Sequence, residues 1–236
     1  MPNDAKVAAS PALPILLMVL SAVTGLIDAV SILGMGRVFT ANMTGNIVFL
    51  GFAVGGAAGF EPLRYIAALA AFLLGALLGG RLGRPFNGGP RRSWLMWSAG
   101  LETALFWAAA AAAHGYDLEA QQPTTSLYAL IILTAVAMGL RNATVRQLKV
   151  PDMTTTVLTL TLTGLAADSH LAGGNNPNWR RRAGSILAVF VGACIGAALI
   201  VRTGLFVPLV LTGATVLLAT LAYVLHPASA AVPRTT

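Results

Sequence analysis

Eight runs of apolar residues follow one another along the chain, with only short polar stretches between them. They cover residues 14–33, 41–60, 63–83, 94–113, 127–145, 153–168, 183–201 and 204–225. A helix needs about 20 apolar residues to cross the hydrocarbon core of a bilayer, and most of the runs have that length. None alternates over strand length, so a membrane barrel is not expected. The expected fold is an all-α polytopic membrane helix bundle. It forms one transmembrane domain over residues 13–226, with short, poorly ordered tails at 1–12 and 227–236. A soluble fold fails on charge. Only 10% of the 236 residues are charged, against about 25% in a soluble domain, and the mean hydropathy is +0.76.

The first run, preceded by Lys6, has the outline of a signal peptide. It is long enough to span, contains Asp28 and lacks a small-residue cleavage site, so a retained first helix is the better reading. The net charge of +7 would point to nucleic acid in a soluble chain. Here the basic residues sit in clusters between apolar runs, which reads as membrane topology and headgroup contact, not nucleic-acid binding. The lone Cys194 excludes an intrachain disulfide, and His114, His170 and His226 match no metal-ligand spacing. No cofactor is expected.

The chain repeats itself. Gly25-Leu-Ile-Asp28-Ala29 is matched by Gly139-Leu-Arg141-Asn142-Ala143 at an offset of 114. A polar stretch follows each: Thr40-Ala-Asn42-Met-Thr44-Gly45-Asn46, and the threonines between Thr154 and Thr163. A glycine-spaced helix comes next, Gly75 and Gly79 matching Gly192 and Gly196 at an offset of 117. Two four-segment halves are expected, about 14–113 and 127–225.

Orientation then discriminates. If all eight segments span, the better arrangement leaves nine Lys/Arg inside and six outside, with Arg180, Arg181 and Arg182 on the wrong side. If the second and sixth segments are re-entrant or broken, twelve lie inside and only Arg37, Arg64 and Arg202 outside. The positive-inside rule favours the second arrangement. It makes the halves inverted, each crossing three times. Segment 41–60 is nevertheless apolar enough to span by itself.

The polar residues within the apolar runs are the candidate pathway for a solute or ion. A carboxylate in a membrane helix is costly and normally partnered, protonated or facing water. Asp28 reads equally as a proton or cation coupling site and as a structural carboxylate paired with Arg37 or a backbone donor. Glu102 lies deeper; it faces the bundle interior or pairs with a basic residue such as Arg141, with structural pairing the stronger reading. Asn42, Thr44 and Asn46 around Gly45 fit the start of a half-helix whose amides face a polar solute, or an ordinary N-cap. Thr155, Thr159 and Thr163 share one helical face as a hydroxyl stripe, either lining a path or packing. Arg141 and Asn142 close the fifth segment; attraction of an anion competes there with membership of the positive-inside cluster, which is the better reading. Gly75, Gly79, Gly192 and Gly196 read as close helix packing.

The strings Gly25-Leu-Ile-Asp28-Ala-Val-Ser, Phe39-Thr-Ala-Asn42-Met-Thr44-Gly45-Asn46, Gly139-Leu-Arg141-Asn142-Ala and Thr154-Thr-Thr-Val-Leu-Thr159 resemble the YoaK-like bacterial membrane proteins, a domain-of-unknown-function family. The resemblance covers about residues 14–225. It implies a multi-pass protein of the bacterial inner membrane and no particular reaction.

Three functions compete. A small secondary transporter of an unidentified polar or ionic solute has the expected signature of an inverted repeat, broken segments and buried carboxylates. Asp28, Asn42, Thr44, Asn46, Glu102, Arg141, Asn142, Thr155 and Thr159 would form its pathway. A non-transporting partner-binding or assembly module is the alternative, though short loops leave it little surface. An enzyme is not expected, because no Ser/His, paired-Asp or metal arrangement stands in the sequence, nor a Walker-type phosphate loop. The bilayer is the one certain partner, and so small a bundle leaves homo-oligomerisation open.

Overall fold

The computed structural model describes residues 12–84, 91–148 and 158–229. Among them are eight α-helices: α1 (Ala12–Gly34), α2 (Met43–Val54), α3 (Pro62–Leu82), α4 (Arg91–Ala112), α5 (Thr124–Leu148), α6 (Leu158–Ala167), α7 (Trp179–Thr203) and α8 (Phe206–Leu225). Five of these, α1, α3, α5, α7 and α8, are long and apolar enough to cross a membrane. Helix α4 has 22 residues but includes Glu102 and begins with two arginines. Large apolar side chains such as Leu73, Phe190, Val201 and Leu218 face outward, as a surface that meets acyl chains requires.

The other two helices are short. With 12 residues in α2 and 10 in α6, they rise about 18 and 15 Å at 1.5 Å per residue, against a hydrocarbon core of about 30 Å. The apolar run 41–60 is longer than the helix it forms because local chemistry stops the helix. Asn42 caps the start of α2, its side chain accepting from the Gly45 amide. Past α2, Gly56 takes a left-handed conformation, φ +83°, which turns the chain toward Pro62 at the start of α3.

The remaining helices are arranged by a few tight contacts. At two interfaces glycine meets backbone directly. Gly192 of α7 lies against the Ala22 carbonyl of α1, and Gly25 against Val189. In the same way Gly75 of α3 lies against the Val136 carbonyl of α5, and Gly139 against Phe72. Without a Cβ in the way, the helix backbones approach closely, and dispersion and weak Cα–H contacts replace the hydrophobic drive that lipid removes. Gly75, Gly79, Gly192 and Gly196 thus serve the close packing expected of them. Gly25 and Gly139, which read in the sequence only as repeat markers, complete the same contacts.

The contacts also fix helix direction. Met18, Ser21, Leu26 and Gly34 of α1 meet Gly184, Ser185, Gly196 and Ile200 of α7 in rising order, so α1 and α7 run the same way. Gly75 and Gly79 of α3 meet Val136 and Leu140 of α5, again in parallel. Between α1 and α5 the order reverses: Arg141 reaches Leu20, and Thr134 reaches Met35. Helices α4 and α8 are antiparallel, Thr103 Oγ1 donating to Gly213 O at 3.0 Å and Trp107 Nε1 to Val210 O at 3.2 Å.

The interior holds two main apolar clusters. One gathers Ile27, Met35, Tyr65, Phe106, Leu130 and Leu209. The other gathers Leu17, Trp94, Leu95, Val145 and Tyr223. The disorder expected after residue 226 does not extend to 227–229, which form a 3-10 turn. Arg92 Nε donates to Ser229 Oγ at 2.8 Å and its Nη2 to His226 O at 2.8 Å, tying that turn to the start of α4.

Candidate functional site

Glu102 of α4 and Arg141 of α5 form a buried ion pair. Each stands between the two apolar clusters, with Ala99 and Phe106 flanking one and Met138 and Val145 the other. Arg141 is 2% exposed and Glu102 4%, so Arg141 does not belong to the interfacial basic cluster to which its position at the end of an apolar run assigned it. That run extends as helix to Leu148, which draws Arg141 inward by about two turns. The guanidinium lies over the Phe106 ring, 5.8 Å from its centre, and its Nη1 is 3.5 Å from Leu20 O. Stripping both charges of water is compensated only by their mutual attraction and these contacts. Beside the pair is a cavity of about 20 Å³, with Ser98, Thr144 and Thr220 among its lining residues. That is room for one water, not for a solute.

Asp28 occupies a separate place toward the C-terminal end of α1, at the junction with α2. The Ala41 backbone lies beside its carboxyl group, while among the described residues Asp28 Oδ1 and the buried Thr40 Oγ1 have no hydrogen-bond partner. Asp28 makes no ion pair with Arg37 among the described residues. Asn142, which stands at an offset of 114 from it in the sequence, donates from Nδ2 to Met138 O at 2.9 Å.

The Asn/Thr motif divides by role. Asn42 and Thr44 are exposed, and Asn42 is the N-cap of α2. Asn46 is wholly buried. Its Oδ1 accepts from the Phe39 amide at 2.9 Å and its Nδ2 donates to the Phe39 carbonyl at 2.6 Å. It pairs with the chain as a β-strand neighbour would, holding the 35–42 connection against α2. Buried and bonded at both ends, this side chain is turned to the connection it clamps. Among the threonines, Thr155 lies outside the described residues, Thr159 and Thr163 are exposed, and Thr161 is the buried one. The helix therefore presents to the protein the face opposite the expected stripe. The named residues are thus brought together in two groups, Glu102 with Arg141 and Asp28 with the Asn42–Asn46 turn; Thr159 joins neither.

Two further clusters carry charge. Arg182 of α7 donates from Nη1 to Asp168 at 2.7 Å and to the Gly164 carbonyl at 2.6 Å, holding α6 to the start of α7. At the opposite end of the bundle, Gly36, Arg37, Gly59, Glu61, Arg64 and Gln121 line a cavity of about 330 Å³. Arg64 Nη1 donates to Gln121 Oε1 at 2.6 Å. Below it the Tyr116 hydroxyl donates to Gly34 O at 3.1 Å; burial pushes this phenol above its ordinary range, so it remains a donor. In the sequence Arg37 stands as one of the partners offered for Asp28, and Arg64 counts only as a charge at the start of the third apolar run. The available signal is their shared side of the membrane in the inverted arrangement.

Comparison with known proteins agrees with a membrane protein. A family described as "Protein of unknown function (DUF1275)" matches residues 16–223. The UPF0700 transmembrane protein YoaK of Bacillus subtilis (strain 168) is 31% identical over 154 residues, 65% of this chain and 65% of that relative's length. The match thus spans just under two thirds of the curated relative. No solved structure matches the chain.

Proposed function

We propose, from the premise that this integral membrane protein belongs to the DUF1275 family, that it is a small secondary transporter of a polar or ionic solute in the bacterial inner membrane, built as an inverted repeat. The observation that carries the reading is the matched pair of glycine interfaces. Under the repeat, Gly25 corresponds to Gly139, Ala22 to Val136, Gly75 to Gly192 and Gly79 to Gly196. The α1/α7 and α3/α5 contacts use these residues in equivalent roles. The opposite senses of α1 and α5 support a relation of the halves by inversion.

In this reading each half crosses three times. Helix α2 returns to the face where α1 ends and α3 begins, and α6 does the same at the other face. With the N-terminus inside, the basic residues are then mostly cytoplasmic, as the positive-inside rule requires. Transporters of this design move one repeat against the other around a polar site near the midplane. Glu102 and Arg141 occupy that level between the halves, and Asp28, with an oxygen left free, is the proton carrier.

The test is solute-driven proton movement in proteoliposomes loaded with pyranine, using amino acids, monocarboxylates, sugars and alkali cations as the panel. Wild-type flux collapses in Asp28→Asn at equal reconstitution. Unchanged flux in both Asp28→Asn and Glu102→Gln removes the proposed carriers. A chain that moves no solute yet co-purifies with one stoichiometric membrane partner is an assembly module instead. Labelling of single cysteines places 34–40 outside and both 84–92 and 169–182 inside; finding 34–40 and 84–92 on one side refutes the inverted arrangement.

A further inference from the structure

The cavity between the ends of α1, α3 and α5 gathers both charge and left-handed backbone. Its volume, about 330 Å³, is in the range of small-molecule sites, about 300–1,000 Å³. Four of its six lining residues have left-handed backbone. Gly36 (φ +72°) and Gly59 (φ +83°) take that conformation, as glycine readily does, but so do Arg37 (φ +61°) and Gln121 (φ +54°). For a residue with a Cβ this costs free energy and is sustained where surrounding structure demands it, commonly at ligand sites. Arg64 Nη1 packs directly on Gly36, where any side chain would displace it, and Gln121 Oε1 beside the same glycine accepts from it. Gln121 accepts one bond from a guanidinium that has five N–H donors. Arg37 and Glu61 stand exposed at the same cavity and form no ion pair among the described residues.

We propose that this vestibule binds a small solute bearing a single carboxylate, held by the guanidinium groups of Arg64 and Arg37. Arginine presents paired donors that match the two oxygens of a carboxylate. Glu61 reduces the formal charge of the lining groups to +1 and so disfavours dianions. The backbone at Arg37 and Gln121 fixes the two arms in advance of binding. The inference rests on the transporter reading only in calling the solute a cargo; binding itself requires no flux.

The experiment measures equilibrium binding to the detergent-purified full chain, by calorimetry and thermal shift, at constant chloride. The probes are acetate, lactate, glycine, succinate and inorganic phosphate. Acetate, lactate and glycine are expected to bind in preference to succinate and phosphate. Arg64→Gln and Arg37→Gly each weaken binding roughly tenfold or more, since each removes a charge-assisted bond. Arg37→Gly relieves the left-handed strain, so its thermal midpoint in the absence of ligand is expected to equal or exceed that of wild type, which separates lost binding from lost folding. Arg202→Gln, a charge removed at the same end of the bundle but outside the cavity, binds as wild type does. No binding of any carboxylate overturns the proposal, as does equal binding in the two cavity variants and wild type. Stabilisation seen only with phosphate, or only in phosphatidylglycerol nanodiscs, also overturns it by making the cavity a headgroup site. Carboxylate binding without proton flux retains the site and removes the transporter; flux of solutes that do not bind here does the reverse.

Discussion

Replacing Gly192 by alanine tests the helix arrangement most directly. The added methyl group would lie 2.6 Å from the Ala22 carbonyl carbon and 2.9 Å from its Cα, where nonbonded carbons settle at about 3.5–4.0 Å. The α1 and α7 backbones must therefore part by about 1 Å. A gap of that size forfeits about a quarter to a half of each dispersion contact along the interface, and overpacking of this kind costs about 1–3 kcal/mol. Taking the upper end, because backbone cannot swing aside, and offsetting about 1 kcal/mol for the better helix propensity of alanine, the net loss is about 2 kcal/mol. At about 2–4 °C per kcal/mol for a chain of this size, the midpoint falls by about 4–8 °C in a scattering-based melt in detergent. Gly80→Ala is the control: nothing lies within 4 Å of its new methyl group, so that midpoint does not fall. Gly25→Ala added to Gly192→Ala costs less than the sum of the two, since both open one interface, whereas Gly75→Ala adds in full from the other. A Gly192→Ala protein as heat-stable as Gly80→Ala would refute the close backbone packing and the helix pairing derived from it.

Other outcomes follow from the buried polar groups. Glu102→Gln strands the Arg141 charge and lowers stability by about 3–5 kcal/mol, while the double variant Glu102→Leu with Arg141→Met recovers most of the loss; a double variant as unstable as the single would show that the charge pairing is not the cause. Asn46→Leu orphans the Phe39 amide and carbonyl and costs about 1–3 kcal/mol for each, whereas Asn42→Ala removes an exposed cap worth about 1 kcal/mol. Thermal midpoints in the reverse order would remove Asn46 as the clamp of the α1–α2 connection.

Apolar run length and composition are local quantities, and they were enough to establish a helical membrane protein and the approximate bounds of its long helices. Lipid offers the backbone no hydrogen bonds, so a run of such residues has little choice but helix. The close-packing role of Gly75, Gly79, Gly192 and Gly196 was also legible, because small residues at fixed spacing have few other uses in a membrane. Which partner each glycine meets was not: Gly192 is set against Ala22, and Gly75 against Val136, by how distant segments dock. Arg141 is legible in part. Glu102 within an apolar run already asks for a basic partner such as Arg141, yet along the sequence Arg141 stands among Arg146 and Lys149 as one more basic residue near a helix end. The docking of α4 on α5 decides between the two readings in favour of the buried ion pair. Asn46 looks like a solute ligand until folding brings the Phe39 backbone within reach of both ends of its amide. The cavity of Arg37, Arg64 and Gln121 draws on three stretches far apart in the chain. Sequence dictates what each segment must hide from water or from lipid; the partner it hides against is chosen by packing among segments, and that choice decides which polar groups remain free to meet a solute.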